Sequence, residues 1–304
     1  MSSDAQKRRI GLAGANGFIG SAILRQLRGT GLSPMTLCGP GTREANCTAE
    51  CLTCDLTDTQ RLRRWVEGLE VVIHAAGPPS VRRSFEMPEE YVRIHVQGTT
   101  ALLQACRVAQ VKKLVYLSSA EVYGRAEKGP VSETHRLQPR SPYAAVKIAA
   151  EKMIEAYAES FGLNAIVLRP FSIYGPMPTS ESLFGTILSM VKQGCIRLHD
   201  LRPVRDYCYV DDVAVAVSRA CSLPSEGLQV FNIGTTKGTS VAEFTQRVLQ
   251  VLGISLPVVE ERSRSRNQSE IFDLVADATA ARNILGWAAN IDLDDGLQLA
   301  IGAS

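Results

Sequence analysis

Tyr143 and Lys147 stand four residues apart, a spacing that puts a phenol and an ammonium on one face of a helix. Ser141 before them suits an N-cap, and Pro142 suits the first helical position, where its missing N–H costs nothing. Upstream, the apolar run at 114–117 reads as a buried strand ending in Ser118-Ser119. A hydroxyl at a strand end, a phenol and an ammonium can form a proton-transfer site. Tyr143 would be the general acid/base, Lys147 the charge that lowers its pKa, and Ser119 the donor to the substrate oxygen. The sizes are compatible. A free phenol titrates near 10, so a base poised near 7 needs about 4 kcal/mol, which one cation at about 4 Å in an effective dielectric of about 20 supplies. A Tyr and a Lys four apart also occur by chance, so the pair takes its meaning from the elements that position it.

Those elements begin with a short strand at 9–13, the loop Gly14-Ala15-Asn16-Gly17-Phe18-Ile19-Gly20, and an amphipathic helix carrying Ile23, Leu24 and Leu27. Strand, three glycines three apart, then helix is the context of a dinucleotide loop, in which the backbone approaches a pyrophosphate at a helix N-terminus. The second strand, 35–37, ends without the acid that would hold an adenosine ribose. Arg43 beyond it would face a 2′-phosphate or belong to a solvated loop. Asp55, after the third strand, would accept from the adenine amino group, or else Asp55 or Thr57 caps the helix at 59–66. The strand at 71–74 ends in Ala75-Ala76-Gly77, small enough to lie against a dinucleotide, and His74 reads as a packed strand-end residue. One long helix at 89–109, the Tyr143 helix and a strand at 165–170 continue the alternation. The fold expected is α/β, a Rossmann-like doubly wound parallel sheet. Residues 1–170 form its dinucleotide domain, and 171–304 form a smaller substrate-binding region with segments returning to the sheet.

Composition narrows the partners. The 304 residues carry a net charge of +2 and are 45% hydrophobic, giving no electrostatic case for nucleic acid or membrane. The N-terminus reads as a polar tail with no apolar signal core behind it, and no apolar run reaches transmembrane length. Eight scattered cysteines suit free thiols in a reducing cytoplasm. The one CxxC, Cys51 to Cys54, lies on a strand where its thiols would face opposite ways. With no second ligand pair, no metal site is expected.

The sequence resembles the extended short-chain dehydrogenases/reductases, specifically their nucleotide-sugar epimerase/dehydratase group, over residues 9–287. The resemblance rests on Gly14-x-x-Gly17-x-x-Gly20, Asp55-Leu56, His74-Ala75-Ala76-Gly77, Ser118-Ser119-Ala120-Glu121-Val122-Tyr123-Gly124 and Tyr143-x-x-x-Lys147. It extends to the runs beginning Arg169-Pro170-Phe171-Ser172, Arg205-Asp206-Tyr207 and Phe231-Asn232-Ile233-Gly234. It implies NAD or NADP held by Gly14, Gly17, Phe18, Ile19, Gly20, Arg43, Asp55, Leu56, Ala75, Ala76, Tyr143, Lys147 and Pro170. It also implies a nucleoside-diphosphate sugar bound through Ser172, Arg205 and Arg266, and a homodimer built on the helices at 89–109 and 142–161. Arg205 is a sound diphosphate ligand in bare physical terms too, a fork donor in a polar loop, unless it pairs with Asp206 or Asp211.

Departures cluster on the substrate side. His95 stands where the family has an asparagine, Ser172 replaces another, and the late arginine falls near Asn267, with Arg264 or Arg266 as substitutes or as a solvated loop. A 4,6-dehydratase carries Asp-Glu after the strand-end serine, whereas this chain has Ala120-Glu121, so elimination lacks its acid. Catalysis is assigned to Ser119, Tyr143 and Lys147, with Glu121 a proton-abstracting or structural residue. The leading expectation is an NDP-sugar epimerase working by transient oxidation to a keto sugar. An NADPH-dependent 4-keto-sugar reductase is the alternative, ahead of a decarboxylase-like variant and a non-catalytic dinucleotide sensor.

Overall fold

A computed structural model describes residues 9–41, 51–125, 129–261 and 271–302. Its centre is a seven-stranded, all-parallel sheet. In chain order the strands are β1 (Ile10–Ala13), β2 (Met35–Cys38), β3 (Cys51–Thr53), β4 (Val71–His74), β5 (Lys113–Leu117), β6 (Asn164–Pro170) and β10 (Leu228–Ile233), arranged β10-β6-β5-β4-β1-β2-β3. The strands β1, β4 and β5 are buried at every position, as a sheet covered on both faces requires. The order reverses between β1 and β4, so a crevice opens at their carboxyl ends.

One face carries α1 (Phe18–Gly29) and α8 (Val210–Ser222), packed on each other. The other carries α2 (Thr59–Val66), α5 (Thr99–Val108) and α6 (Pro142–Phe161). The helix α6 starts as its sequence predicts: the Ser141 hydroxyl accepts from Ala144 N–H at 3.1 Å and Pro142 opens the first turn. Asp58 caps α2, in place of the expected Asp55 or Thr57.

The helix expected over 89–109 runs continuously from 88 to 108 as α4 (Pro88–Tyr91), a π-helical stretch Val92–Gly98, and α5, and a separate short helix α3 (Val81–Glu86) precedes it. Periodicity does not register the extra residue of a π turn, but packing does. Gly98 presses on Leu56, where a Cβ would come within 2.8 Å, and Tyr91 and His95 turn their rings toward Tyr143.

The remaining elements surround the carboxyl end of the sheet. They are β7 (Ser172–Tyr174), α7 (Leu183–Val191), β8 (Ile196–Leu198), β9 (Val204–Tyr209), β11 (Gly238–Ser240), α9 (Val241–Val251), β12 (Val258–Glu260), β13 (Asp273–Leu274), α10 (Thr279–Asn283) and α11 (Leu293–Gly302). The strand β9 pairs with β7, β11 and β13, making a small mixed sheet. Ser240 caps α9 through Glu243 N–H, as its capping-box sequence indicates. No helix among the described residues is long and apolar enough to cross a membrane.

Candidate active site

Three elements bring the expected groups together. The strand β5 delivers Ser118-Ser119 at its carboxyl end, and Ser119 then caps a 3-10 turn, Ala120–Tyr123, by accepting from Glu121 N–H at 3.2 Å. The first turns of α6 carry Tyr143 and Lys147, both buried. The Ser119 hydroxyl lies close enough to the Tyr143 phenol to draw its pKa down. Lys147 Nζ donates to the Leu117 carbonyl at 2.7 Å and lies 4.8 Å from the Tyr116 ring centroid and 5.8 Å from that of Tyr143.

The electrostatics differ from the sequence expectation, in which Lys147 draws the phenol down. Burial pushes the Tyr143 phenol above the ordinary range, with Glu121 and Tyr91 adding to the rise and only the Ser119 hydroxyl opposing it. The same desolvation brings Lys147 down to about 7. Both charged forms lose water here, and the ammonium is directed at a carbonyl, not at the phenol oxygen. Glu121, half-buried, is raised by burial and lowered by the Arg205 charge, and it in turn raises Tyr143.

The glycine loop provides a cradle. Gly14 has φ +90°, and a Cβ there would sit 2.7 Å from the Ala75 carbonyl, so its lack of a side chain lets the loop close on the end of β4. A Cβ on Gly20 would lie 1.9 Å from the Gly14 carbonyl, which makes that glycine a packing requirement. Gly17 is different. It is the exposed N-cap of α1 with φ −72°, and a Cβ would meet only the Gly14 carbonyl, at 3.3 Å. No side chain caps α1 and no acid occupies its first turn. Its leading N–H groups face an open approach, which fits the pyrophosphate of a dinucleotide.

Ser172 and Arg205 line a second space, a cavity of about 520 Å³ with an aromatic wall where Tyr207 stacks on Phe244 at 4.1 Å. Arg205 does not pair with either neighbouring acid. Its guanidinium donates to the carbonyls of Val204, Phe272 and Ile271. Asp206 instead accepts from Thr235, Thr236 and Ala276, and Asp211 from Arg25.

The model of the NAD dependent epimerase/dehydratase family matches residues 10–234, which span the glycine loop, the Ser119–Tyr143–Lys147 set and Arg205. The chain belongs to that family. The UDP-glucose 4-epimerase of Mycolicibacterium smegmatis is 31% identical over 308 residues, covering 94% of this chain and 95% of its own. Among solved structures, the UDP-glucose 4-epimerase of Thermus thermophilus in complex with NAD superposes with a TM-score of 0.88 at 29% identity, covering 97% of each chain. DesIV, a dTDP-glucose 4,6-dehydratase from Streptomyces venezuelae with NAD bound, superposes with a TM-score of 0.89 at 26% identity, covering 97% of this chain and 96% of its own.

Against that family the departures acquire shapes. His95 is fully buried in the π-helical stretch and its Nε2 bonds the Pro78 carbonyl at 3.0 Å, so it pins the loop after β4 from below. Burial holds it down to about 2 and His74 down to about 3, and both are therefore neutral near pH 7. His74 is the packed residue its position suggests, with Nε2 3.0 Å from the Thr99 hydroxyl. Asp55 has one oxygen on the Thr57 N–H and hydroxyl and the other on Arg93 at 2.7 Å. Cys51 Sγ lies 3.3 Å from Cys38 Sγ across β2 and β3, whereas Cys54, past the end of β3, turns its thiol to the Asp55 carbonyl. Arg43, Arg264, Arg266 and Asn267 lie outside the described residues.

Sequence reasoning missed two neighbours of the site. Tyr91 stands 6.3 Å from the Tyr143 ring and donates to the Ser80 carbonyl at 2.7 Å. Glu151 ion-pairs with Arg169 behind Lys147. The signal for Glu151 was present as a third polar residue at four-residue spacing after Tyr143 and Lys147.

Proposed function

We propose that this protein is an NAD-dependent 4-epimerase of a nucleoside-diphosphate hexose, with a UDP-sugar as substrate. The observation that carries the reading is the Ser119 hydroxyl set beside the Tyr143 phenol and followed by Ala120, a buried methyl where a dehydratase needs an acid. The UDP-glucose 4-epimerases among the relatives support the same choice. Bound NAD would supply a hydride acceptor able to return what it takes. In this chain, Tyr143 accepts the proton of the sugar hydroxyl and later gives it back to the keto oxygen, while Ser119 holds that oxygen. The Lys147 ammonium stands beside the ring on which the phenolate forms, the α1 N-terminus and the small residues Ala75 and Ala76 hold the dinucleotide, and Ser172 with Arg205 holds the diphosphate.

Two measurements test this. Mass spectrometry of the denatured protein identifies the dinucleotide, and NMR follows UDP-glucose and UDP-galactose with nothing added. Copurified NAD with interconversion of the two sugars is the expected result. An empty protein that turns over only a keto sugar with NADPH would make it a reductase. Glu121→Gln should change epimerisation less than about threefold, because no carbon-bound proton leaves through a carboxylate. A loss of about 10²-fold or more would assign Glu121 such a proton.

Arg205→Ala should weaken UDP binding by about tenfold or more, the scale of hydrogen bonds to charged groups, and Arg205→Lys should recover only part, lacking the fork. Calorimetry with UDP checks it, and unchanged affinity in Arg205→Ala removes this residue from the substrate site. For assembly, the reading is a homodimer on the α5 and α6 faces, where Val108 and Phe161 are exposed. Sedimentation of the purified chain decides between dimer and monomer.

A further inference from the structure

Tyr143, Lys147 and Glu151 follow one another at four-residue steps along α6, so a carboxylate continues the stripe that carries the phenol and the ammonium. Both Glu151 oxygens are engaged. Oε1 accepts from the Ser118 hydroxyl and from Arg169 Nε at 3.1 Å, and Oε2 accepts from Arg169 Nη2 at 2.6 Å. Arg169, on β6, extends the line through Nη1 to the Tyr123 hydroxyl at 2.9 Å and the Glu133 carbonyl at 3.2 Å. Tyr123 in turn donates to Asn232 Oδ1 at 2.5 Å, and Asn232 Nδ2 donates to the Val131 carbonyl at 2.7 Å. Two members of this buried line flank Ser119: Ser118 precedes it, and Tyr123 ends the 3-10 turn that it caps.

A buried ion pair adds little net stability, and well-packed apolar residues often replace one at no loss. Its place directly behind the reacting groups therefore asks for a role other than stability. We propose that the Glu151–Arg169 pair is a positioning device for the reaction, holding Ser119 and Lys147 in the arrangement and the charge state that the chemistry needs. The inference rests on the reading of Tyr143 and Lys147 given above.

The groups facing Lys147 can be named. Tyr143 and Glu151 share its helix, Tyr116 lies under Nζ from β5, and the Lys147 charge helps to lower His74 on β4 and His95 in the π-helical stretch. Both histidines are neutral near pH 7, and burial raises the phenols of Tyr116 and Tyr143 so that they too are uncharged. Glu151 is the group that pulls Lys147 upward, against the burial that brings it to about 7. The ammonium is charged below its midpoint, so activity that needs the charge falls as pH rises through that midpoint. Removing Glu151 moves the fall to lower pH.

Three variants of the full chain test this: Glu151→Gln, Ser118→Ala, and the double replacement Glu151→Met with Arg169→Met, which leaves neither charge buried alone. One readout needs no substrate: titration of Lys147 by NMR of 13Cε-labelled lysine. The other is the pH dependence of kcat and KM for nucleotide-sugar conversion. In Glu151→Gln and the double variant the Lys147 midpoint should fall by about 1 pH or more. The alkaline limb of kcat should move with it, and KM should stay within about twofold. Ser118→Ala removes one oxygen and leaves the ion pair, so it should keep the Lys147 midpoint while kcat drops about tenfold through Ser119 alone.

An unmoved midpoint in whichever of the two charge variants folds overturns the charge-state role. Wild-type kcat in Ser118→Ala overturns the positioning role. A moved midpoint in a protein that converts no nucleotide sugar supports the charge-state role and fails the epimerase reading, so the two failures are distinguishable.

Discussion

Tyr143→Phe should leave a folded protein with its dinucleotide bound and turnover lowered by at least about 10²-fold, the low end of general acid–base contributions. The substitution removes one oxygen from a side chain whose ring is already packed edge-on against Tyr91 and His95, so the packing that fixes α6 survives. What is lost is the hydroxyl beside Ser119, the group placed to accept a proton. Burial raises this phenol and the Ser119 hydroxyl is what draws it down, so the ionised form depends on that hydroxyl and on what the bound dinucleotide and sugar add in the crevice. Nucleotide-sugar conversion followed by NMR, beside dinucleotide content by mass spectrometry, checks the result. Wild-type turnover in the variant would exclude a short-chain dehydrogenase mechanism.

Gly17→Val should abolish dinucleotide binding in a protein that still folds. The geometry separates this glycine from its two partners in the motif. Gly14 and Gly20 are required by the protein's own packing, with contacts of 2.7 and 1.9 Å awaiting any Cβ, so replacing either would disturb the fold itself. Gly17 has an ordinary φ and one moderate contact at 3.3 Å, so its side chain would project into the space before the α1 N-terminus. A branched side chain there occupies the pyrophosphate position and covers the N–H groups that would bind it. Thermal melting with and without added NAD measures both halves of the expectation. The melting temperature should be near that of wild type stripped of its dinucleotide, and the rise that added NAD gives the stripped wild type should vanish. An undiminished rise would move the cofactor away from this loop.

The sequence made the sheet and the local helix signals readable because both are short-range. Apolar runs bounded by Gly and Ser marked the strands, and Ser141-Pro142 and Ser240-x-x-Glu243 marked helix starts that the structure reproduces. The π-helical stretch was not readable, because it depends on Leu56 meeting Gly98 and on Tyr143 meeting His95, contacts between elements far apart in the chain. The same holds for the state of Lys147. Spacing places it beside Tyr143, but burial and the Leu117 carbonyl decide its charge, and neither is written in a four-residue interval. Arg205 shows the limit from the other side. Its neighbours in sequence offered two carboxylates, and the fold gave those to Thr235, Thr236, Ala276 and Arg25 instead.

The edge strand β10 has a consequence for synthesis. It adds to β6 over six paired positions, from Leu228 on Ala165 to Ile233 on Pro170, yet it emerges from the ribosome after β7, β8, β9 and α8 have been made. Until residue 233 is free, the nascent chain presents β6 as an open parallel edge, and Tyr123 lacks the Asn232 amide that receives its hydroxyl. Long-range parallel pairing of this kind is slow and exposed to aggregation. A fragment stopping at Pro170 would keep the glycine loop and every residue assigned here to proton transfer. It would nevertheless be an unfinished sheet and a poor candidate for independent expression.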